Sequence, residues 1–228
     1  MEGGPPPGQV ESDIRLSSTT RVEAFSDGVM AIAITLLVLD LRVPSTAEAT
    51  EAGSLLAALL QHWAAYVAYL AGFLTIGIIW LNHRAFVDKV RRFDNTLQWL
   101  NLLLLLGVVT VPFPTALLAA HVGEGGEPAA TAAAVYALLG VVLPLPWLLI
   151  WWHLGRHPGL FEPGFNARYA GTELRRGALG PLIYALAIPV ALIAPLVALA
   201  FFVGIAMLYG LTNQGVGSAT PARSPRSS

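Results

Sequence analysis

The sequence predicts an all-α membrane protein with six transmembrane helices per subunit and both termini cytoplasmic. Three observations carry this. Only 12% of the 228 residues are charged and 55% are hydrophobic, whereas an ordinary soluble domain is about a quarter charged; the mean hydropathy is +0.64. The apolar residues fall in runs close to the ~20 residues a helix needs to cross hydrocarbon. The basic residues gather in alternate connections between those runs, as the positive-inside rule expects.

The composition also excludes. A net charge of −1 offers no basic surface for nucleic acid, so no nucleic-acid partner is expected. With no cysteine, disulfides, thiolate metal sites and cysteine nucleophiles are ruled out.

Residues 1–20 are rich in Gly, Pro, Ser and Thr and include Pro5, Pro6 and Pro7; they are expected to form a disordered cytoplasmic tail. They do not read as a signal peptide, because no basic n-region precedes the first apolar run and no small-residue cleavage pattern follows it. Apolar segments follow at 22–42, 58–82, 97–120, 130–152, 177–194 and 195–212, and residues 213–228 are expected to be a second disordered cytoplasmic tail. The last two segments come from one continuous stretch with Pro189 and Pro195 near its middle. A reversal there gives six crossings; one long kinked helix gives five.

The charges favour six. With the N-terminus inside, the inner segments hold Arg15, Arg21, Arg84, Lys89, Arg91, Arg92, Arg156, Arg168, Arg175, Arg176, Arg223 and Arg226, which is 12 of 13 basic residues. Only Arg42 remains outside, with Glu48, Glu51, Glu124 and Glu127. Trp63, Trp80, Trp147, Trp151, Trp152 and Tyr209 lie towards segment ends and read as an aromatic belt at the headgroups. The loops are too short for a separate soluble domain, so residues 21–212 form one transmembrane domain and function resides in the membrane.

Segment one opens with Arg21-Val-Glu-Ala-Phe25-Ser26-Asp27-Gly28. Charges at this depth are costly unless they pair or face water or protein. Interfacial anchoring by a snorkelling arginine and an N-terminal acid is one reading of Arg21 and Asp27. Arg21, Phe25, Gly28, Ile32, Leu36 and Leu39 share one helical face, which Thr35 borders. By periodicity alone that aliphatic stripe reads as packing or lipid contact.

The run Arg21 to Pro44 resembles the first helix of the transmembrane protein 175 family of bacterial and lysosomal potassium channels. The shared hallmark is an arginine, three variable residues and Phe-Ser-Asp, here Arg21, Phe25, Ser26 and Asp27. Trp80-Leu-Asn-His83-Arg84 in segment two is also similar to bacterial members, as are Asn101 with its leucines and Pro112-Phe-Pro-Thr115 in segment three. The resemblance implies a potassium channel in which first helices from several subunits, expected as a homotetramer, line the pore. It assigns the constriction to Ile32, Leu36 and Leu39 and a selectivity-linked hydroxyl to Thr35. Arg21, Phe25, Ser26 and Asp27, with Trp80 and His83, are expected as a scaffold network, and Asn101 as a hydrogen-bonding residue between helices. For His83 a plain core or interfacial role stands beside the network role. The implied partners are potassium ions, the lipid bilayer and further copies of the chain; no cofactor and no bound metal other than permeant potassium is expected.

Carbonyl filters of TVGYG type replace the ion's hydration shell, and no such sequence occurs here. An arginine array of voltage-sensor type is also missing, so conduction is expected to be leak-like, in a plasma-membrane protein. A secondary, proton-coupled transporter is the competing reading, but segments two to six carry no mid-span Asp, Glu, Lys or Arg to couple with. The remaining histidines, His62, His121, His153 and His157, read as surface residues. No assembled catalytic motif is present, so no enzyme is expected.

Overall fold

The structure, a computed structural model, describes the backbone of residues 7–212 and the side chains of residues 19–207. Helix α1 runs Pro7–Leu36 and continues as a 3-10 turn over Leu37–Asp40. The tail expected over residues 1–20 is therefore corrected: helix begins at Pro7. A proline at the first helical position sacrifices only an N–H that would be unpaired anyway, and no further proline occurs before Arg21 to break the helix. Residues 1–6 and the tail expected at 213–228 lie outside the described residues.

A short connection follows, with α2 at Thr46–Glu51 and α3 at Leu55–Gln61. Ser45 and Glu48 cap α2 reciprocally, side chain to backbone in both directions. Helix α4, Trp63–Val87, starts and ends five residues later than segment two, because Ser54 caps α3 as a separate helix and the chain turns at His62.

Segments three and four are bent spans. Helices α5 (Asn95–Thr110) and α6 (Pro112–His121) form one, and α7 (Gly126–Val142) and α8 (Leu145–Arg156) the other. Each bend falls at a proline, Pro112 or Pro144, where a backbone donor is lost. Helix α9, Ala167–Ile193, begins ten residues before segment five because the Asn166 side chain caps it at the N–H groups of Arg168 and Tyr169. Helix α10 is Pro195–Thr212.

The relation of α9 to α10 decides between a reversal and one long helix. Tyr184 and Phe202 stack with ring centroids 5.6 Å apart, whereas eighteen residues of continuous helix would separate them by about 27 Å. The chain reverses at Ala194, where φ −140° and ψ 73° leave the helical region. Pro189 is carried inside α9 and Pro195 opens α10. Among the described residues five helices are long and apolar enough to cross a membrane, and Pro195–Met207 is a shorter apolar sixth.

Three packed groups hold the bundle. Near the glutamate-bearing loops, Ala64, Ala68, Ala132, Ala133, Ala191 and Ala198 bring backbones close, with Leu118 and Phe202 between them; small residues serve this purpose in helix pairs that gain nothing from water exclusion. Midway, Met30, Ala33 and Leu37 of α1 pack on Ile76, Leu105 and Val108. At the basic end Phe86 is ringed by Phe93, Trp147 and Trp151 at centroid distances of 5.8, 5.3 and 5.7 Å. Trp151 is only 3% exposed, so this part of the expected headgroup belt is core instead: edge-to-face ring packing outweighs an interfacial position. Trp63, Trp152 and also Trp99 are exposed, while Tyr209 lies outside the described side chains. The two loops at this end are tied together by the antiparallel bridge of Val90 with Phe161, through Arg91 N–H to the Leu160 carbonyl and Glu162 N–H to the Lys89 carbonyl.

Candidate functional site

Helix α1 has two unlike faces. Ser26, Met30, Ala33 and Leu37, spaced four, three and four residues, are buried against the bundle. The opposite face carries Phe25, Ile32, Leu36 and Leu39, which are 56%, 62%, 43% and 74% exposed. Arg21, Gly28 and Thr35 are exposed on the same side. The 3-10 turn matters here, because three residues per turn set Leu39 nearly in line with Leu36. The Thr35 hydroxyl donates to the Ile32 carbonyl at 2.8 Å, which leaves its oxygen lone pairs on the uncovered side.

The buried face is fixed by a line of polar groups that alternate donor and acceptor. Ser26 Oγ–H donates to the Val22 carbonyl at 2.8 Å, and a carbonyl only accepts. The serine oxygen therefore receives Asn101 Nδ2–H, at 3.0 Å, which turns Asn101 Oδ1 towards His83. That oxygen accepts from His83 Nε2–H at 2.8 Å, so the ring is the Nε2–H tautomer with Nδ1 bare. All three side chains are buried, His83 and Ser26 fully and Asn101 at 2% exposure. Beside this line Trp80 Nε1–H donates to Asp27 Oδ1 at 2.9 Å, giving the carboxylate a partner where an unpaired charge would be costly.

The structure thus brings together Ser26, Asp27, Trp80 and His83, and places Asn101 at the centre of the line. Two expected network members stand apart. Phe25 and Arg21 lie on the exposed face, about 100° or more around the helix from Ser26, and Asp27 is engaged by the indole instead of the guanidinium. The hydrogen-bonded pair of His153 and Asp94 escaped the sequence reading. His153, expected at the surface, is 7% exposed and donates from Nε2 to Asp94 Oδ2 at 2.8 Å. Asp94 has a legible signal, as an Asp three residues before Leu97 at a helix start; nothing in the sequence pairs it with a histidine 59 residues on. Partial burial pushes the Asp94 carboxyl up. The Leu97 N–H, the His153 bond and the charges of His153 and His157 together outweigh that and hold it below the usual carboxylate range.

Fold and site define a multi-pass α-helical membrane protein whose first helix is fastened to its bundle by the buried Ser26, Asn101 and His83. Residues 21–112 match the family described as Endosomal/lysosomal potassium channel TMEM175. Over 87% of its length the chain is 44% identical to a protein of Streptomyces collinus named a potassium channel, of which it covers 94%. A crystal structure described as a lysosomal potassium-selective TMEM175 homologue from Chamaesiphon minutus superposes with a TM-score of 0.74 at 34% identity, covering 87% of this chain and 99% of that one. The mouse protein named endosomal/lysosomal proton channel TMEM175 is 42% identical over 100 residues, 42% of this chain and 20% of its own. The chain belongs to the TMEM175 channel family, the family to which the Arg21 to Pro44 run pointed.

Proposed function

We propose that the protein is the subunit of a potassium-selective channel, a homotetramer whose pore is lined by the exposed face of α1 and constricted at Ile32, Leu36 and Leu39. The observation that carries this reading is the division of α1: one face is locked to its own bundle through Ser26, Met30, Ala33 and Leu37, and the other leaves large aliphatic side chains uncovered. Relatives named potassium channels support the choice of ion.

Rings of Ile32, Leu36 and Leu39 around an axis make an apolar constriction that excludes water unless it widens. Passage then costs part of the ion's hydration, and potassium holds its water less tightly than sodium. Thr35 oxygens, with their protons committed to the Ile32 carbonyl, replace part of the lost hydration as acceptors. Ser26, Asn101, His83, Asp27 and Trp80 hold the pore helix in register, and Arg21 and Phe25 belong to the pore mouth. Conduction is leak-like, without strong voltage gating, in a plasma-membrane protein with both termini on the basic, cytoplasmic side.

Potassium-loaded liposomes containing the purified protein test the proposal. Passive potassium flux faster than carrier turnover is expected; flux that strictly requires a proton or a second solute as counter-substrate would make it a transporter. Relatives named proton channels make proton flux the parallel measurement.

A further inference from the structure

The Asp94 carboxylate is used at both oxygens. Oδ1 accepts from the Leu97 N–H at 2.8 Å, capping α5, and Oδ2 accepts from His153 Nε2–H at 2.8 Å. The first turn of α5 is thereby fastened to the last turn of α8. A second histidine abuts the pair: the His157 ring lies 4.2 Å from the His153 ring, tilted by 32°, and its Nδ1–H donates to the His153 carbonyl at 3.0 Å. Seven residues further along α5, about 10.5 Å at helical rise, Asn101 holds Ser26 of α1. A rigid helix therefore connects the Asp94 fastening to the helix that carries Ile32.

The other charges nearby are otherwise engaged. On α8 itself, Arg156 lies over the Trp152 ring at 3.9 Å. From α9, Glu173 faces Arg176 at 3.6 Å and also Tyr169 and Lys89. In the α4–α5 connection, Lys89 donates to the Ala85 carbonyl and lies over the Phe165 ring. Arg91 and Arg92 of the same connection are exposed, and among the described residues Asp94 bonds His153 while His157 packs on its ring.

We propose that Asp94 and His153 are positioning residues, a latch at the basic end of the bundle, and that protonation of the His153 and His157 pair alters the latch and with it conduction through α1. This rests on the channel reading. A neutral His153 donates an N–H to the carboxylate; a proton on His153 adds a full positive charge 2.8 Å from Asp94 Oδ2 and makes the contact an ion pair. A proton on His157 places a like charge beside His153, ring to ring at 4.2 Å, and opposes that gain.

The test is potassium flux in liposomes with the same pH on both faces, so that no proton gradient contributes, stepped from pH 8 to pH 5.5. Native flux should change at least two-fold over this range. His153→Gln, which retains an amide donor but does not titrate, should give flux that varies with pH clearly less than the native flux, since only the His157 proton is left to act on the site. Asp94→Asn still caps α5 but removes the charge, and should move the native transition to lower pH. A His153→Gln profile that follows the native one overturns the latch, as does a flat native profile. Melting temperature over the same pH range is measured alongside: a difference between native and His153→Gln that grows with acidity supports the latch, and parallel curves overturn it. Absence of native potassium flux at every pH instead overturns the channel reading, leaving the melting curves to judge the latch.

Discussion

Replacing Asn101 with alanine removes the centre of the line that ties α1 to α4 and α5. Two interhelical hydrogen bonds vanish, at 2.8 Å to His83 and 3.0 Å to Ser26, and the fully buried His83 Nε2–H loses its acceptor. Ser26 keeps its own bond to Val22, so its proton is not orphaned. Hydrogen bonds between membrane helices are worth about 0.6 kcal/mol on average and up to ~1.7, and a buried donor without a partner adds of order 1 kcal/mol. The expected cost is therefore about 2–3 kcal/mol, which at roughly 2–4 °C per kcal/mol for a chain of this size lowers the melting temperature by several degrees. The assay is a melting series in detergent on the native protein, Asn101→Ala, Ser26→Ala and the double variant. Because both single changes break the same bond, the double variant should cost at least 0.5 kcal/mol less than their sum. Strict additivity, or an Asn101→Ala cost below about 0.5 kcal/mol, would refute the claim that this line holds the pore helix.

Three further outcomes are expected. Ile32→Ala, by shortening an uncovered side chain, should raise potassium flux or weaken its preference over sodium in the liposome assay with little loss of fold; unchanged flux and unchanged ion preference would remove Ile32 from the constriction. Gly140→Ala should destabilise the bundle by about 1–3 kcal/mol, because its Cβ would overlap the Tyr184 ring where α7 packs on α9, whereas Gly77→Ala, whose Cβ meets nothing within 4 Å, should be near neutral; equal melting temperatures for the two variants would contradict this packing. The depressed Asp94 value gives stability that is present above the unfolded carboxylate value of about 4 and lost as pH falls through the lower folded value. Asp94→Asn should flatten that acid limb of the melting temperature between pH 6 and pH 3, and an unchanged limb would show that the charge contributes nothing.

Much of the spanning pattern was legible because lipid leaves a backbone few choices: an apolar run must satisfy its own hydrogen bonds, and helix does so. The limits of those runs were less legible, since hydropathy sees where a helix is apolar and misses where it is capped. Asn166 starts α9 and Ser54 starts α3 through side-chain oxygens on backbone N–H groups. The aromatic residues show a similar gap. Trp147 and Trp151 read as interfacial by position along the chain, yet both rings close on Phe86, a contact between helices that no local pattern encodes.

The sequence by itself determined the solvent, the segment order, the segregation of charge and the family, because each follows from composition or from a short run such as Arg21 to Asp27. It also placed Ile32, Leu36 and Leu39 on one helical face, since a period of 3.6 residues is a local property. Only the tertiary structure decided which face of α1 is buried and that Asn101 rather than Arg21 completes the polar line. These depend on which helices become neighbours. A repeat along one helix is the same whether its stripe is packed or uncovered, so only the partners of Ser26 and Met30 identify the free side.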